Sequence, residues 1–291
     1  MAFRLRPSGG LGRQLRRIVR REFGRALDVW FHADSDGEVT HDVRQSLKKI
    51  RAVLRLFRRP LGPHYRPEDR RLRDISHRLA SLRDAEVAAE IVRRLRSRYP
   101  RRLQGPTTDS VVDALQARAV HISERSEADL ACARVELRLS QTSTLSTLSR
   151  LGGFAELQRG MTSGYRRARA ALSGLTMSSD AGRFHRWRRR VKAHWYQVRL
   201  FDGISRAARA RGQCLERLET RLGDSHDLAM LSALIRSHRK RYGDERWRAA
   251  VLETIAQVEA PLRAQCLKAG AQVFKGKPRA FRREVDRWWH R

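Results

Sequence analysis

The sequence contains few acidic residues, with 31 aspartates and glutamates against 63 lysines and arginines among 291 residues. The formal net charge of +32 predicts a polyanionic partner, such as nucleic acid, polyphosphate or an anionic membrane surface. Aromatic residues make up only 7% of the chain and are not interleaved with its basic residues. This scarcity disfavours recognition of a nucleic acid by base stacking.

Cysteine is also scarce, and Cys132, Cys214 and Cys266 lack the paired spacing of a zinc site. An odd, scattered set of this kind predicts no disulfide framework and fits a reducing cytoplasm. No run of 18 apolar residues occurs, so we expect no membrane span. The first ten residues are charged and lack an apolar segment, so we expect a flexible leader rather than a secretory signal.

Motifs of common enzyme classes are missing as well. The sequence has no phosphate-binding P-loop, no HExxH zinc motif and no nucleophile elbow. No cluster of carboxylates marks a metal site. We therefore expect a binding protein without catalytic residues, metal or cofactor, and keep an enzyme acting on a polymeric anion as an alternative.

The most regular pattern lies between Thr40 and Arg59, where basic and apolar residues separate at helical spacing. The basic face consists of His41, Arg44, Lys48, Arg51 and Arg55. The apolar face consists of Val43, Leu47, Ile50, Leu54 and Phe57. We expect a helix with Thr40 as its N-cap that packs inward on one side and presents a row of cations on the other.

The same pattern returns 144 residues further along the chain, between Arg183 and Phe201. The equivalent basic positions hold His185, Arg188, Lys192 and Arg199, whereas Trp195 replaces the second arginine of the first copy. A further pair of blocks follows at nearly the same spacing, RLASLRD from Arg78 and RLGDSHD from Arg221. Two matching blocks in the same order predict an internal duplication.

Helical periodicity continues through the rest of the chain without an alternating strand pattern, which predicts an all-α fold. Further helices are expected at about residues 11–31, 67–99, 110–139, 154–173 and 206–242, with two more after residue 245. The Ser/Thr-rich residues 140–150 mark the predicted seam between the halves. The predicted organisation is therefore a leader of residues 1–10, a first half of 11–150 and a second half of 151–291.

These motifs resemble the CHAD family, the conserved histidine α-helical domain. The first half carries the histidine followed by basic residues at helical spacing, and continues with LRDAEV from Leu82. The second half repeats that spacing and continues with LGDSHDLAML from Leu222. The resemblance covers about residues 11–290 and is carried by His41, Arg44, Lys48, Arg51, His185, Arg188 and Lys192.

The resemblance implies two pseudo-symmetric four-helix bundles around a central basic groove or pore. Members of the family bind inorganic polyphosphate and some associate with polyphosphate granules, so we expect polyphosphate as the partner of this cytoplasmic chain. The implied binding residues are His41, Arg44, Lys48, Arg51, Arg55, His185, Arg188, Lys192 and Arg199. A second set of candidates consists of Arg73, Arg83, Tyr165, Arg166 and Arg169.

Two further expectations concern chemistry near the basic rows. Both histidines are predicted near helix N-termini and are expected to gain a proton when an anion binds, so that affinity rises below about pH 6.5. Asp84 and Asp227 are expected to orient nearby arginines rather than to act as acids. General binding of nucleic acid or another polyanion remains the alternative function, because the excess charge attracts any such polymer.

Overall fold

The computed structural model describes residues 3–6, 9–33, 35–103, 105–151, 153–238 and 241–290, and the side chains of residues 81–83, 85 and 150 lie outside the described part. Within these residues the chain forms twelve α-helices and no strand, which confirms the predicted all-α fold. The helices are α1 (Leu11–His32), α2 (Asp36–Leu56), α3 (Tyr65–Arg78), α4 (Ala80–Arg98), α5 (Pro100–Leu103), α6 (Pro106–Arg125), α7 (Glu127–Thr147), α8 (Phe154–Leu172), α9 (Ala181–Arg199), α10 (Arg206–Ser237), α11 (Glu245–Val273) and α12 (Pro278–Trp289). No helix in the described ranges is long and apolar enough to cross a membrane.

The first basic helix, α2, begins four residues before the predicted N-cap. The Ser35 hydroxyl caps it by accepting a hydrogen bond from the amide of Glu38 at 3.3 Å. Thr40 lies buried inside the helix, where its hydroxyl donates to the carbonyl of Gly37 at 3.0 Å. The prediction of Thr40 as N-cap was therefore wrong, because a better cap stands one turn upstream.

Two predicted helices are each divided in the structure. The segment predicted as one helix over 67–99 breaks at Leu79, where α3 ends and α4 begins. The break allows α3 to pack on α7 while α4 packs on α6. The helix predicted over 110–139 breaks at Ser126, whose hydroxyl donates to the carbonyl of Ile122 at 2.6 Å and competes with helix continuation.

The helices pack around two apolar cores. The larger core joins α1, α2, α3, α7, α8, α9 and α12 with the first part of α10, and it is anchored by Phe23, Leu47 and Trp187. The smaller core joins α4 and α6 with the second part of α10 and the first part of α11, around Val92 and Tyr242. Each core takes helices from both sides of residue 150, so the two predicted halves share both cores. The pseudo-symmetric relation between the halves stays a prediction.

The described part of the N-terminal segment is packed, which corrects the expectation of a flexible leader for residues 3–6. Phe3 and Leu5 are buried, whereas Arg4 and Arg6 between and after them are exposed. The amide of Leu5 donates to the carbonyl of Leu200 at 2.7 Å. The alternation of apolar and basic residues suits an extended segment with one face on the core.

Close packing of α8 brings α2 and α9 together. At Gly160 a Cβ atom would overlap the carbonyl oxygen of Leu56 on α2. At Gly164 it would overlap the side-chain oxygen of Gln197 on α9. The amide of Gln197 in turn donates to the carbonyl of Ala52 at 3.3 Å. Small residues on α8 therefore let the two basic helices lie in contact.

Candidate functional site

The basic residues of α2 and α9 meet in one cavity of about 480 Å³, which we call the central cavity. Its walls come from α2, α4, α6, α9 and α10. Its charged and imidazole lining consists of His41, Arg44, Lys48, Asp84, Arg118, Arg188, Lys192, His226 and Asp227. Apolar residues of α4 and α10, including Ile91 and Leu231, form the remaining wall.

Lys48 carries a charge that no neighbouring group neutralises by contact. Within the part of the chain that the structure describes, its ammonium makes neither a hydrogen bond nor an ion pair. Burial, followed by the charges of Lys192, Arg44 and Arg188 in that order, lowers the pKa of Lys48 from its ordinary 10.5 to about 7. Glu219 acts in the opposite direction but lies beyond ion-pair distance. An anion entering the cavity would supply the missing partner.

The second basic helix is partly neutralised by one carboxylate. Glu219 on α10 lies 2.6 Å from the ammonium of Lys192 and 3.4 Å from the guanidinium of Arg188. Burial still lowers the pKa of Lys192, even though Glu219 and Asp227 raise it. The Nε atom of Arg188 is buried without a hydrogen-bond partner among the described residues. Both side chains therefore retain donors for a ligand.

The two copies hold their equivalent arginines differently. Arg44 donates through Nη1 to the carbonyl oxygen of Ser76 at 3.1 Å. Arg188 pairs with Glu219, which stands at the position equivalent to Ser76 in the second copy. The two equivalent arginines therefore contact acceptors of different charge, a backbone carbonyl in the first copy and a carboxylate in the second.

Histidines occupy the cavity wall and its edge. His41 is exposed and lines the cavity, and His226 lines it from α10. The Nδ1 atom of His185 lies 3.2 Å from the Nδ1 atom of His226. Burial lowers the pKa of both rings, assisted for His185 by Arg188 and Arg189, and the pKa of His226 falls to about 4. One ring must therefore donate and the other accept as neutral imidazoles near pH 7.

The predicted help from helix N-termini does not apply to these histidines. His41 is the sixth residue of α2 and His185 the fifth residue of α9. Only the first four amides of a helix lack an intrahelical partner. The rise of affinity below about pH 6.5 stays a prediction, and its physical support is now ligand charge alone.

Arg51 and Arg55 continue the basic face of α2 beyond the central cavity. Both approach Asp69, Arg51 with Nε at 2.8 Å and Arg55 with a nitrogen at 3.7 Å. They line a second cavity of about 700 Å³, which we call the outer cleft. Its arginines are Arg51, Arg55, Arg58, Arg73, Arg167, Arg183, Arg186, Arg189 and Arg190.

The outer cleft is nearly free of acidic side chains. Asp69 is the single carboxylate among its described lining residues. Arg167 shows the consequence, because burial and then the charge of Arg190 lower its pKa. An adjoining cavity of about 780 Å³ shares Arg55, Arg58 and Arg167 and adds Arg166. The basic surface therefore continues from α2 onto α8.

Trp195 was expected to cost the second copy a cation. In the first copy the equivalent Arg51 is already neutralised by Asp69. The position equivalent to Asp69 is Gly212, so the second copy lacks the cation and its counter-ion together. Trp195 is buried and stacks on Tyr196 at 4.8 Å. The substitution therefore leaves the charge balance of this position unchanged.

Several predicted residues lie away from both cavities. Tyr165 is wholly buried, and its hydroxyl donates to the carbonyl of Gly276 at 2.8 Å, so its assignment to the basic site was wrong. Its ring faces the core because it stacks on Phe281 at 4.5 Å. Arg199 lies 4.0 Å from Asp202, and Arg169 donates to the carbonyl of Phe274 at 3.1 Å. The Arg83 side chain lies outside the described residues.

Other residues of the two cavities were not predicted. Arg118 enters the central cavity from α6, where no repeated basic spacing marks it. Arg186, Arg189 and Arg190 form a second basic face on α9 at spacing i, i+3 and i+4, a signal that could have been read from the sequence. Glu219 carried no signal, because its role depends on how α10 packs against α9.

The aspartates of the repeated block, Asp84 and Asp227, both line the central cavity. Asp227 raises the pKa of Lys192, which agrees with an orienting role towards a cation. Among the described residues, no group of three or more histidine, cysteine or acidic side chains has the arrangement of a metal site.

Comparison with known proteins now adds to this geometry. The family model described as "CHAD domain" matches residues 10–236. The crystal structure of the CHAD domain from the plant Ricinus communis is similar in fold, with a TM-score of 0.66 and 18% sequence identity. The alignment covers 98% of this chain and 95% of the plant domain. Comparison with curated proteins gave no match. Because the family model spans most of the sequence, this chain belongs to the CHAD family, a family associated with polyphosphate.

Proposed function

We propose that this protein binds inorganic polyphosphate without transforming it, in the central cavity and along the basic face of α2 into the outer cleft. The observation that carries the proposal is Lys48, a partly buried lysine that has no contacting counter-ion among the described residues and lies among Arg44, Arg188 and Lys192. Positive charges that line the same cavity repel one another, and a bound anion reduces this repulsion.

The shape of the site suits a chain of identical anions. Polyphosphate has no sequence to read, so its receptor needs a row of fixed donors rather than a shaped pocket. The face of α2 from His41 to Arg55 extends for about 21 Å, at about 1.5 Å per residue. Each charge-assisted hydrogen bond to a phosphate contributes about 1.5–3 kcal/mol. Arginine strengthens the fit, since its planar fork holds two phosphate oxygens at once.

Nucleic acid is the competing partner, because the net charge of +32 attracts any polyanion. A single-stranded nucleic acid is usually held by aromatic rings on which its bases stack. Histidines are the sole ring-bearing residues among the described lining of the central cavity, and Trp195 and Trp288 are buried elsewhere. The lining therefore favours a polymer of phosphates alone.

Targeting to polyphosphate granules in the cytoplasm follows from the same binding. A granule presents many anionic chains at its surface, and the outer cleft adds basic residues that the central cavity does not use. The protein would then associate with granules through the ligand rather than through another protein.

Competition binding tests the proposal. Long-chain polyphosphate should displace duplex DNA at physiological salt, whereas DNA of equal phosphate content should fail to displace polyphosphate. Lys48→Ala combined with Lys192→Ala should abolish this preference. The matched control is Lys268→Ala with Lys275→Ala, which removes the same charge from two exposed positions. Equal weakening in both double variants would instead indicate general attraction of polyanions.

The enzymatic alternative is tested separately. The protein is incubated with polyphosphate and magnesium, and released phosphate and chain length are measured over several hours. Non-catalytic binding predicts no change in chain length beyond that of the polymer alone. Shortening that disappears in the Lys48→Ala, Lys192→Ala variant would show that the cavity is an active site.

A further inference from the structure

We infer that Lys48 is also a site of covalent modification, at which the central cavity directs acyl transfer from small acyl phosphates such as acetyl phosphate. The inference rests on the proposed function, since the cations that hold polyphosphate would hold the phosphate of the donor. It extends that function, because acylation of Lys48 removes a positive charge from the middle of the site.

The first support is the arrangement of groups around the amine. Lys48 lines a cavity of about 480 Å³, which admits a molecule as small as acetyl phosphate. Arg44 on the same helix and Arg188 and Lys192 on α9 surround it with phosphate-binding donors. A phosphate held by these side chains brings the adjoining acyl carbon beside Nζ of Lys48.

The second support is the state of the amine itself. Acyl transfer requires a neutral amine, and the pKa of about 7 leaves roughly half of Lys48 neutral at pH 7. An ordinary lysine with a pKa of about 10.4 is neutral in only about one molecule in 2,500 at that pH. The loss of intrinsic nucleophilicity with falling pKa offsets part of this gain. With a Brønsted slope of about 0.45, as for thiols, the amine of the protein without bound phosphate keeps a net advantage of roughly 40-fold at pH 7 and roughly 7-fold at pH 8.

The reaction balances without another reactant. The lone pair of Lys48 Nζ attacks the acyl carbon, and the bond between that carbon and the phosphate oxygen breaks. Inorganic phosphate leaves, and the surplus proton of the nitrogen passes to the phosphate or to water. The product is a neutral amide. The incoming phosphate raises the pKa of the amine as Glu219 does, so the rate should increase from pH 7 towards pH 9.

The chain supplies its own reference lysines. Lys49 is adjacent in sequence, but its ammonium lies 3.0 Å from Glu22 in a buried ion pair. Lys192 faces the same cavity and is held by Glu219 at 2.6 Å. Lys268 and Lys275 are exposed to solvent. A contacting carboxylate occupies the ammonium of Lys49 and of Lys192, and Lys268 and Lys275 lie outside the central cavity, so these four should react more slowly.

The experiment treats the intact protein with acetyl phosphate at pH 8 and maps acetyl groups on each lysine by peptide mass spectrometry over time. We expect Lys48 to be modified at least 10-fold faster than Lys268 and Lys275. Excess polyphosphate should protect Lys48 and leave the exposed lysines unchanged. The N-hydroxysuccinimide ester of acetic acid lacks a phosphate. With this reagent the rate of Lys48 should exceed that of Lys268 and Lys275 by a smaller factor, and polyphosphate should protect Lys48 less.

Two outcomes would overturn the inference. Acetyl phosphate could modify the exposed lysines as fast as it modifies Lys48. Alternatively, the ratio of the Lys48 rate to the exposed-lysine rate could be the same with both reagents, which would show that the phosphate does not direct the reaction. Lys48→Arg keeps the positive charge but removes the amine, so acetylation at this position should disappear, whereas Lys48→Gln, like the acetylated protein, should bind polyphosphate at least 10-fold more weakly. Selective acetylation of a protein that does not bind polyphosphate would refute the proposed function alone, and binding without selective acetylation would refute this inference alone.

Discussion

Lys48 and Lys49 are adjacent on α2 and have opposite electrostatic roles, so replacing each by methionine should have opposite effects. Lys48 has no contacting counter-ion in the part of the chain that the structure describes, whereas Lys49 lies 3.0 Å from Glu22 and is buried with it. Methionine has a similar length and no charge. The comparison therefore isolates what each ammonium contributes to folding and to binding.

The Lys48→Met variant should be more stable than the natural protein. One pKa unit corresponds to about 1.4 kcal/mol. The fall of the Lys48 pKa from 10.5 to about 7 therefore means that its charge costs the fold up to about 5 kcal/mol below pH 7. Because the folded pKa lies below the unfolded one, the unfolded chain binds more protons between pH 7 and 10.5. The stability of the natural protein should rise through that window, and the advantage of the variant should shrink to about 2 kcal/mol near pH 9.

The Lys49→Met variant should be less stable. It leaves Glu22, which is 2% exposed, with Arg25 at 3.2 Å and Ser46 at 3.4 Å as its remaining partners. Removing one partner of a buried ion pair costs about 3–5 kcal/mol. Arg25 is half-exposed and stays in place, so we expect a loss near the lower end of that range.

The assay is urea unfolding at pH 6 and pH 9, in low salt without phosphate or sulfate, together with polyphosphate titration of each folded variant. Lys48→Met should bind polyphosphate about 10- to 100-fold more weakly, which corresponds to the free energy of one or two charge-assisted hydrogen bonds. Lys49→Met should bind as the natural protein does. If Lys48→Met lost as much stability as Lys49→Met, then Lys48 would have a counter-ion and the reasoning about the cavity would be wrong.

The remaining predictions use other parts of the site. Glu219→Gln should raise polyphosphate affinity about 10-fold, because it frees two cations, while lowering the free energy of unfolding by about 3 kcal/mol in urea. Polyphosphate binding at pH 8 should take up close to one proton, since the anion raises the pKa of Lys48, and calorimetry in two buffers of different ionisation enthalpy measures this uptake. The double variant Arg167→Ala, Arg190→Ala should bind long polyphosphate chains more than 10-fold more weakly and should bind chains of a few phosphates as the natural protein does. If the double variant lost the same affinity for chains of every length, the outer cleft would not be part of the binding site for long chains. Tyr165→Phe should lower the free energy of unfolding by about 1 kcal/mol, the loss of one hydrogen bond, without changing affinity.

The two basic helices could be predicted because their evidence is local. The residues from His41 to Arg55 separate into a basic and an apolar face at helical spacing, and the second copy repeats the pattern. The cavity lining agrees with that prediction for His41, Arg44, Lys48, Arg188 and Lys192. Repetition therefore predicted a common location for residues that are far apart in sequence.

The course of the helices between them was predicted less well. Leu79, where α3 ends, is a good helix former, and the equivalent helix of the second copy, α10, runs unbroken. The break is set by where α3 and α4 pack, which local propensity does not contain. The assignment of Tyr165 to the basic site was wrong for the same reason, because its place on the buried face of α8 depends on its contact with Phe281.

The sequence did not predict which of the cations form ion pairs. Lys48 and Lys192 are equivalent in the repeat, yet among the described residues Lys48 contacts no counter-ion and Lys192 forms an ion pair with Glu219. The difference arises on α10 and α3, where the equivalent positions hold Glu219 and Ser76. Two similar basic rows therefore predict a site, but they do not predict which of its cations is without an ion pair.

This inequality between the copies explains how so positive a cavity can fold. If all the cations around Lys48 lacked partners, their mutual repulsion and burial would together oppose folding by several kcal/mol. Glu219 offsets part of that repulsion at Arg188 and Lys192 and leaves the charge of Lys48 unmatched. On the proposed function, a polyphosphate chain then gains most at Lys48, whose ammonium makes no ion pair with the described residues. The duplicated helices thus combine ion pairs that stabilise the fold with one lysine, Lys48, whose charge is left for the proposed ligand.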